Sequence, residues 1–303
     1  TTGSVLRSVC YGNGLFVAVS STYITYQVLT SPDGIAWTPR SASGYGTWYS
    51  VCYGRGLFVA VGNSVGSAQV MTSPDGITWT TRTPAEANSW VSICYGNGLF
   101  VAVAYDGTNR VMTSPDGINW TARAASSAIS WYSVCYGNGT FVAVASDSGS
   151  TGVIMTSPDG TTWTTRSSGG NGVLRSVCYG NGRFVAVESS GAYGVTVSDN
   201  GTGWSTRTPA EYNSWYSVCF ADGVFVAVAS SGTNRVMTSP DGDTWTARAA
   251  SSPLSWDSVC YGNGIFAAVS NNNGYGYVMT SGVPVDPYAA VPCGSISRKG
   301  IPC

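Results

Sequence analysis

The chain has 303 residues, 14 basic and 15 acidic side chains, no histidine and a formal net charge of −1. That balance argues against nucleic-acid binding by counterion release and against attachment to a membrane through a polybasic surface. The missing histidine removes Ser–His and Cys–His dyads and His-based zinc or haem sites, and Lys299, the only lysine, leaves Schiff-base and P-loop lysine chemistry almost without a candidate. The 43% of hydrophobic residues suffice for a large core. Charged residues make up only 10%, well below the roughly 25% of an ordinary domain. No run approaches the ~18 apolar residues of a membrane span, so no membrane insertion is expected. The start, Thr1-Thr2-Gly3-Ser4, shows neither Met nor a signal peptide, which fits a processed chain or a fragment. No cofactor and no resident metal are expected.

Repetition dominates the chain. The phrase S-V-C-Y-G-N-G-x-F-V-A-V first appears around Cys10 and returns, with small changes, around Cys52, Cys94, Cys135, Cys178, Cys219 and Cys260, at intervals of 41 to 43 residues. A second phrase, T-S-P-D-G-x-x-W-T-x-R, follows in units one to four and six, with Trp37, Trp79, Trp120, Trp163 and Trp245. Unit five alters it to Ser198-Asp199-Asn200-Gly201-Thr202-Gly203-Trp204, and unit seven stops at Thr280-Ser281-Gly282. The repeats fall near 1–42, 43–84, 85–125, 126–168, 169–209, 210–250 and 251–282, leaving 283–303 as a tail.

Each unit reads as four short strands rich in residues that suit a pleated surface. In unit three, strand A is expected over Trp90 to Tyr95, strand B over Leu99 to Ala104, strand C over Arg110 to Ser114 and strand D over Ile118 to Arg123. Gly96-Asn97-Gly98 makes a tight A–B turn, and Ser-Pro-Asp-Gly suits a type I C–D turn. In unit seven the strands are expected over Trp256 to Tyr261, Ile265 to Ser270 and Tyr277 to Thr280, with no ordinary fourth strand. No stretch keeps a helical period. The fold class is therefore all-β, a seven-bladed propeller of four-stranded antiparallel blades, with both chain ends at one blade and the phrase tryptophans in the fourth strands, mostly buried. A solenoid is the alternative, but capping repeats are not seen.

The Ser-x-Asp, Gly and Trp of the C–D hairpin resemble the Asp-box, or BNR, repeat. That resemblance implies a propeller like those of sialidases, sortilin-type receptors, photosystem II assembly factors and some glycoside hydrolases. It covers nearly the whole chain by repetition, but Asp75-Gly76 and its counterparts are adjacent where the usual box has one residue between. In that family the repeat lies away from the active site, so it implies a fold and not an activity.

The seven repeat cysteines sit mid-strand and read as buried structural thiols. Cys293 and Cys303, in the tail, either form a disulfide or remain free. Arg40, Arg82, Arg123, Arg166, Arg207 and Arg248 each follow the phrase tryptophan by three residues. They are expected to pair with turn aspartates or carbonyls, with an anion-binding ring as the other reading.

Strand direction places the A–B and C–D turns on one face and the B–C and D–A loops on the other. The second face carries nearly all the variation, the usual layout for recognition. Candidate ligand-binding residues there are Tyr23, Trp48, Trp90, Tyr105, Asn109, Arg110, Trp131, Trp215, Asn234, Arg235 and Trp256. The five tryptophans among them open strand A, and either stack on sugars or cap the blade interfaces. Gly107-Thr108-Asn109-Arg110 recurs as Gly232-Thr233-Asn234-Arg235, and Thr83-Pro84-Ala85-Glu86 as Thr208-Pro209-Ala210-Glu211, a likeness that suits several weak sites acting by avidity.

An enzyme of sialidase type needs an arginine cluster, a Tyr–Glu pair and an acid. Only Glu188, with Tyr193 nearby, and Asp257 break the repeat as weak catalytic candidates. The expected function is non-enzymatic recognition of glycans or a host or cell-surface receptor, in an extracellular, cell-surface or virus-particle setting. A scaffold subunit and a glycosidase are the alternatives. No nucleic-acid partner is expected. Either Val283 to Ala290 forms a degenerate fourth strand or the outer edge of strand C in blade seven is open; Pro284 and Pro287 disfavour the first, and an open edge suggests that 283–303 attaches to a neighbouring subunit.

Overall fold

The computed structural model describes residues 5–22, 26–44, 46–63, 68–147, 151–190, 194–272 and 275–282. Tyr23, Tyr193 and the tail with Cys293 and Cys303 lie outside the described residues. Among the described residues every regular element is a strand. Six antiparallel sheets have four strands in sequential order and the seventh has three, giving a seven-bladed propeller with an incomplete last blade.

Strand A of each blade touches strand A of both neighbours, including the first and last, so these strands surround the axis and strand D lies outermost. In blade three the strands are Trp90–Gly96, Leu99–Ala104, Val111–Ser114 and Thr121–Arg123. Strand B matches expectation and strand D is three residues shorter. Asp116 is responsible. Its Oδ1 accepts the N–H groups of Ile118 and Asn119, both at 2.8 Å, so these residues belong to the turn. The phrase tryptophans therefore precede strand D instead of lying within it. Trp79, Trp163 and Trp245 are buried, while Trp37, Trp120 and Trp204 are half-buried. The A–B turns place Asn97 at φ 49° and Gly98 at φ 75°. Two successive left-handed residues suit a hairpin that follows the strand twist, and Asn and Gly tolerate that region best.

The core lies in the seams between blades. Val101, Val103 and Val111 of blade three face Trp131, Phe141, Met155 and Trp163 of blade four in one cluster, with Cys94 at its margin. The repeat cysteines are thus half-buried seam thiols, unpaired. Burial raises them, Cys219 to about 12, so they stay protonated.

A second tie crosses every seam. The backbone N–H of Val51 donates to Ser8 Oγ, Ile93 to Ser50, Val134 to Ser92, Val177 to Ser133, Val218 to Ser176 and Val259 to Ser217. Val9 closes the circle on Ser258 at 3.3 Å. The described residues thus begin in blade one and end in blade seven, adjacent blades joined across a seam; the chain ends themselves, expected at one blade, lie outside the described residues.

Among the described residues, the seam between blades six and seven is thinly filled. Blade seven has no described strand D and no phrase tryptophan. Val226 is 7% exposed there, against 0% for Val17, Val59, Val101, Val142 and Val185. A cavity of about 410 Å3 opens among Val226, Val236, Phe266 and Met279.

Two outcomes follow from these seams. Ser92→Ala should cost about 1–3 kcal/mol by chemical denaturation, because it strands the Val134 N–H; an unchanged midpoint would show that water replaces the hydroxyl at no cost. In hydrogen exchange, the amides of Val278–Thr280 should lose protection before those of Val236–Ser239. Equal protection would show that blade seven is as well held as its neighbour.

Candidate functional site

The ties between loops show which face is which. Asn181 Nδ2 donates to the Pro240 carbonyl and Asn263 Nδ2 to that of Pro32, so A–B and C–D turns share one face. On the other, the D–A loop carrying Glu86 is tied to the B–C loop of blade three. Glu86 accepts from Asn109 N at 3.0 Å, from Asn109 Nδ2 and from Asn88 Nδ2. Glu211 repeats this with Asn234 and Asn213. These hydrogen bonds lower both carboxyls from their ordinary value, chiefly those from the Asn109 side chain to Glu86 and the Asn234 backbone to Glu211.

The structure engages several of the candidate ligand contacts in internal interactions. Asn109 and Asn234 are internal braces. Arg110 folds back on the carbonyls of Gly107 and Tyr105, and Arg235 on those of Gly232 and Ser230. Trp48, Trp90, Trp131, Trp215 and Trp256 are fully buried, leaving no ring face for a sugar. Four of them donate Nε1–H to the carbonyl four residues earlier, at Glu86, Ser127, Glu211 and Ser252, anchoring the D–A loops over the seams. Tyr105 alone of the described candidates keeps a largely open side chain, 48% exposed.

The phrase arginines do not pair with turn aspartates in their own blades. Arg40, Arg82, Arg123, Arg166 and Arg248 donate Nε–H to Thr30, Thr72, Thr113, Thr156 and Thr238 on strand C. Blade five has Val197 at that position, and Arg207 turns to Asp243 of blade six instead.

The accessible site is axial. Strand A of every blade carries a bulge between its Trp or Leu and the seam serine. The extra residue is left out of the ladder. These seven residues are Arg7, Tyr49, Val91, Tyr132, Arg175, Tyr216 and Asp257. The first five, from five different blades, line one cavity of about 500 Å3 with Asn63, Ser89, Tyr105 and Asp106. The position was legible as the most varied one in L-R-S, W-Y-S, W-V-S and W-D-S, between a Trp or Leu and an unchanging serine. Only Asp257 had been singled out, because a period-two strand reading cannot place a bulge.

The ring is chemically mixed. Arg7 Nη1 donates to Asp257 Oδ2 at 2.9 Å, its Nε to Ser21 at 3.1 Å, and its guanidinium lies 5.9 Å from the Tyr49 ring centre. Arg175 donates Nε–H to Ser189 at 3.0 Å and lies 4.3 Å from Tyr132 and 5.4 Å from Tyr216. Asp106 accepts from Ser89 N and Oγ, both at 2.7 Å. Of the weak catalytic candidates, Glu188 is buried and accepts from Gly194 N at 3.3 Å; burial raises its carboxyl. It makes no described hydrogen bond or ion pair to Asp257. Among the described residues no group of three or more Cys, Asp or Glu is placed to hold a metal ion.

A family model described as the DUF6242 beta propeller domain matches residues 83–213, the stretch of blades three to five. No curated protein sequence matches the chain. Among solved structures, YCF48 from Cyanidioschyzon merolae is similar with a TM-score of 0.68 at 16% identity, over 94% of this chain and 97% of that one. A YCF48 bound to D1 peptide gives 0.67 at 17%, over 93% of each chain. A streptogramin B lyase gives 0.73 at 10%, over 92% and 94%. These likenesses are of fold.

Burial pushes the Asp257 carboxyl up to about 6, against the opposing pull of Arg7. Its folded-state pKa is thus above the ordinary 3.8, so the native state binds the proton more tightly than the unfolded chain. Asp257 should favour the fold most at low pH and progressively less as pH rises between about 4 and 6. Comparing denaturation midpoints across that window, Asp257→Asn should remove this component of the slope; an identical slope would place the proton elsewhere.

Proposed function

We propose that this propeller is a recognition module that holds its partner at the axial mouth, on the face of the B–C and D–A loops. One observation carries the reading. At the axial position the blades differ in size, charge and polarity, while the seam serine two residues from the Trp or Leu is the same in all seven. Arginine, tyrosine and valine at that position, from five different blades, meet in a single cavity. Structure alone calls for no such variety there, and an asymmetric binding surface does.

The mixed ring favours one axial site over several equivalent weak ones. The exposed Tyr26, Tyr105, Tyr212 and Tyr275 on surrounding loops add adaptable contacts. Within this reading the partner is a protein segment. YCF48, a propeller of the same fold, has a structure with a peptide, which supports the plausibility of the shape and nothing more specific. The open tyrosines favour a second reading, a glycan stacked on Tyr105.

Peptide and glycan arrays probed with the intact chain test this. The double variant Tyr49→Ala, Tyr105→Ala should weaken binding at least about tenfold, within the range of a single interface anchor. Ile118→Ser on the opposite, turn-bearing face should leave it unchanged. Loss with Ile118→Ser and none with the tyrosine pair would move the site to the turn face.

A further inference from the structure

The two arginines of the axial ring are in unlike states. Arg7 is neutralised by Asp257. Arg175 forms no ion pair with any described carboxylate, although it is half-buried. Tyr132 and Tyr216, from the two neighbouring blades, bring their rings to it, and Ser189 accepts only its Nε–H. Aromatic faces attract a cation without cancelling its charge. The side chain is therefore held on three sides, keeps its charge unpaired among the described residues, and has terminal N–H groups with no described hydrogen-bond partner, at the wall of a cavity of about 500 Å3.

A planar guanidinium held in this way matches a carboxylate through two parallel hydrogen bonds. The surroundings narrow the choice of anion. Asp106 carries negative charge on the wall of the same cavity, which opposes a phosphate dianion more than a single carboxylate. A sugar acid would need several partners for its hydroxyls, but Asp106 and Ser89 are already bonded to each other. The rest of the wall is Arg7, Tyr49, Asn63, Val91, Tyr105 and Tyr132, in which Tyr49, Val91 and Tyr105 suit the apolar part of an amino-acid residue.

We infer that the axial mouth binds a peptide carboxylate, with the Arg175 fork on the carboxylate and Tyr49, Val91 and Tyr105 against the residue that bears it. This rests on the axial mouth being the recognition site, and names the ligand chemistry there. The carboxylate comes from an acidic side chain or from a chain terminus.

Calorimetric titration of the full chain separates these sources. The probes are acetyl-Ala-Tyr-Ala-Glu-amide, acetyl-Ala-Tyr-Ala-Ala with a free carboxyl terminus, the neutral acetyl-Ala-Tyr-Ala-Gln-amide, N-acetylneuraminic acid, glucuronic acid and inorganic phosphate. At least one carboxylate peptide should bind, and bind at least about tenfold more tightly than the neutral peptide, as expected for a charge-assisted hydrogen bond. Arg175→Gln should abolish that difference. Arg175→Lys, which keeps the cation and loses the fork, should retain part of it. Unfolding temperatures of both variants report whether the ring is intact; if Arg175→Gln does not fold, Arg175→Lys and the peptide comparison decide alone. Equal binding of the neutral peptide, preference for a sugar acid or phosphate, or no effect at Arg175 would overturn the proposal. If Arg175 is silent while the Tyr49 and Tyr105 variant still loses its partner, the recognition reading stands and the carboxylate assignment fails.

Discussion

One interaction recurs at every seam of this molecule: a serine hydroxyl on strand A of one blade accepting the backbone N–H of strand A in the next. Each bond is modest, worth about 1 kcal/mol net, and none is unusual alone. Their consequence is geometric. The serine fixes how far strand A of one blade can slide along its neighbour, so seven strands are set at one height around the axis. Because Ser258 receives the Val9 N–H as Ser8 receives that of Val51, the first and last blades meet by the same rule as all the others.

That constraint explains why the bulge matters. With the serine committed to the seam on one side and the Trp or Leu buried on the other, one residue of each strand A is left outside the ladder. Seven such residues converge on the axis. Their identities are free of the packing that keeps valine, phenylalanine and cysteine nearly uniform, and the ring has become a patchwork of charge, aromatic surface and aliphatic surface. The same logic disposes of the large residues beside it. A tryptophan at the entrance to strand A looks like a binding platform in the sequence, but its neighbour takes the accessible position and the indole goes into the seam.

Blade seven shows how much of a blade is needed. The seam serine, the Arg7–Asp257 ion pair and the close approach of Gly262 to Tyr11, where an added Cβ would lie 2.1 Å from the ring, all lie on strand A. Closure therefore depends on the innermost strands, and the described residues achieve it without a fourth strand in the last blade. What is missing is outer packing. The phrase tryptophan that covers the corresponding seam elsewhere is absent, and Val226, Val236, Phe266 and Met279 are left partly uncovered.

The sequence by itself determined the number of blades, the order of their strands, the turn chemistry and the two faces, because these follow from local rules repeated seven times: alternation, Asn-Gly at positive φ, and Ser-Pro-Asp-Gly. Strand B of blade three, Leu99–Ala104, could be read to the residue. The shortened strand D could not, since it depends on Asp116 capturing two N–H groups. The tertiary structure decided the site. Asn109 and Glu86 are 23 residues apart and became one brace; Arg7 and Asp257 are 250 apart and became one ion pair. Arg175 reads as an ordinary polar residue beside a seam serine until the closed ring sets Tyr132 and Tyr216 on either side of it. Local rules specify a blade, but only closure of the ring determines which residues of different blades share the axis, and the ion pair and the arginine–tyrosine contacts of the mouth are such pairs.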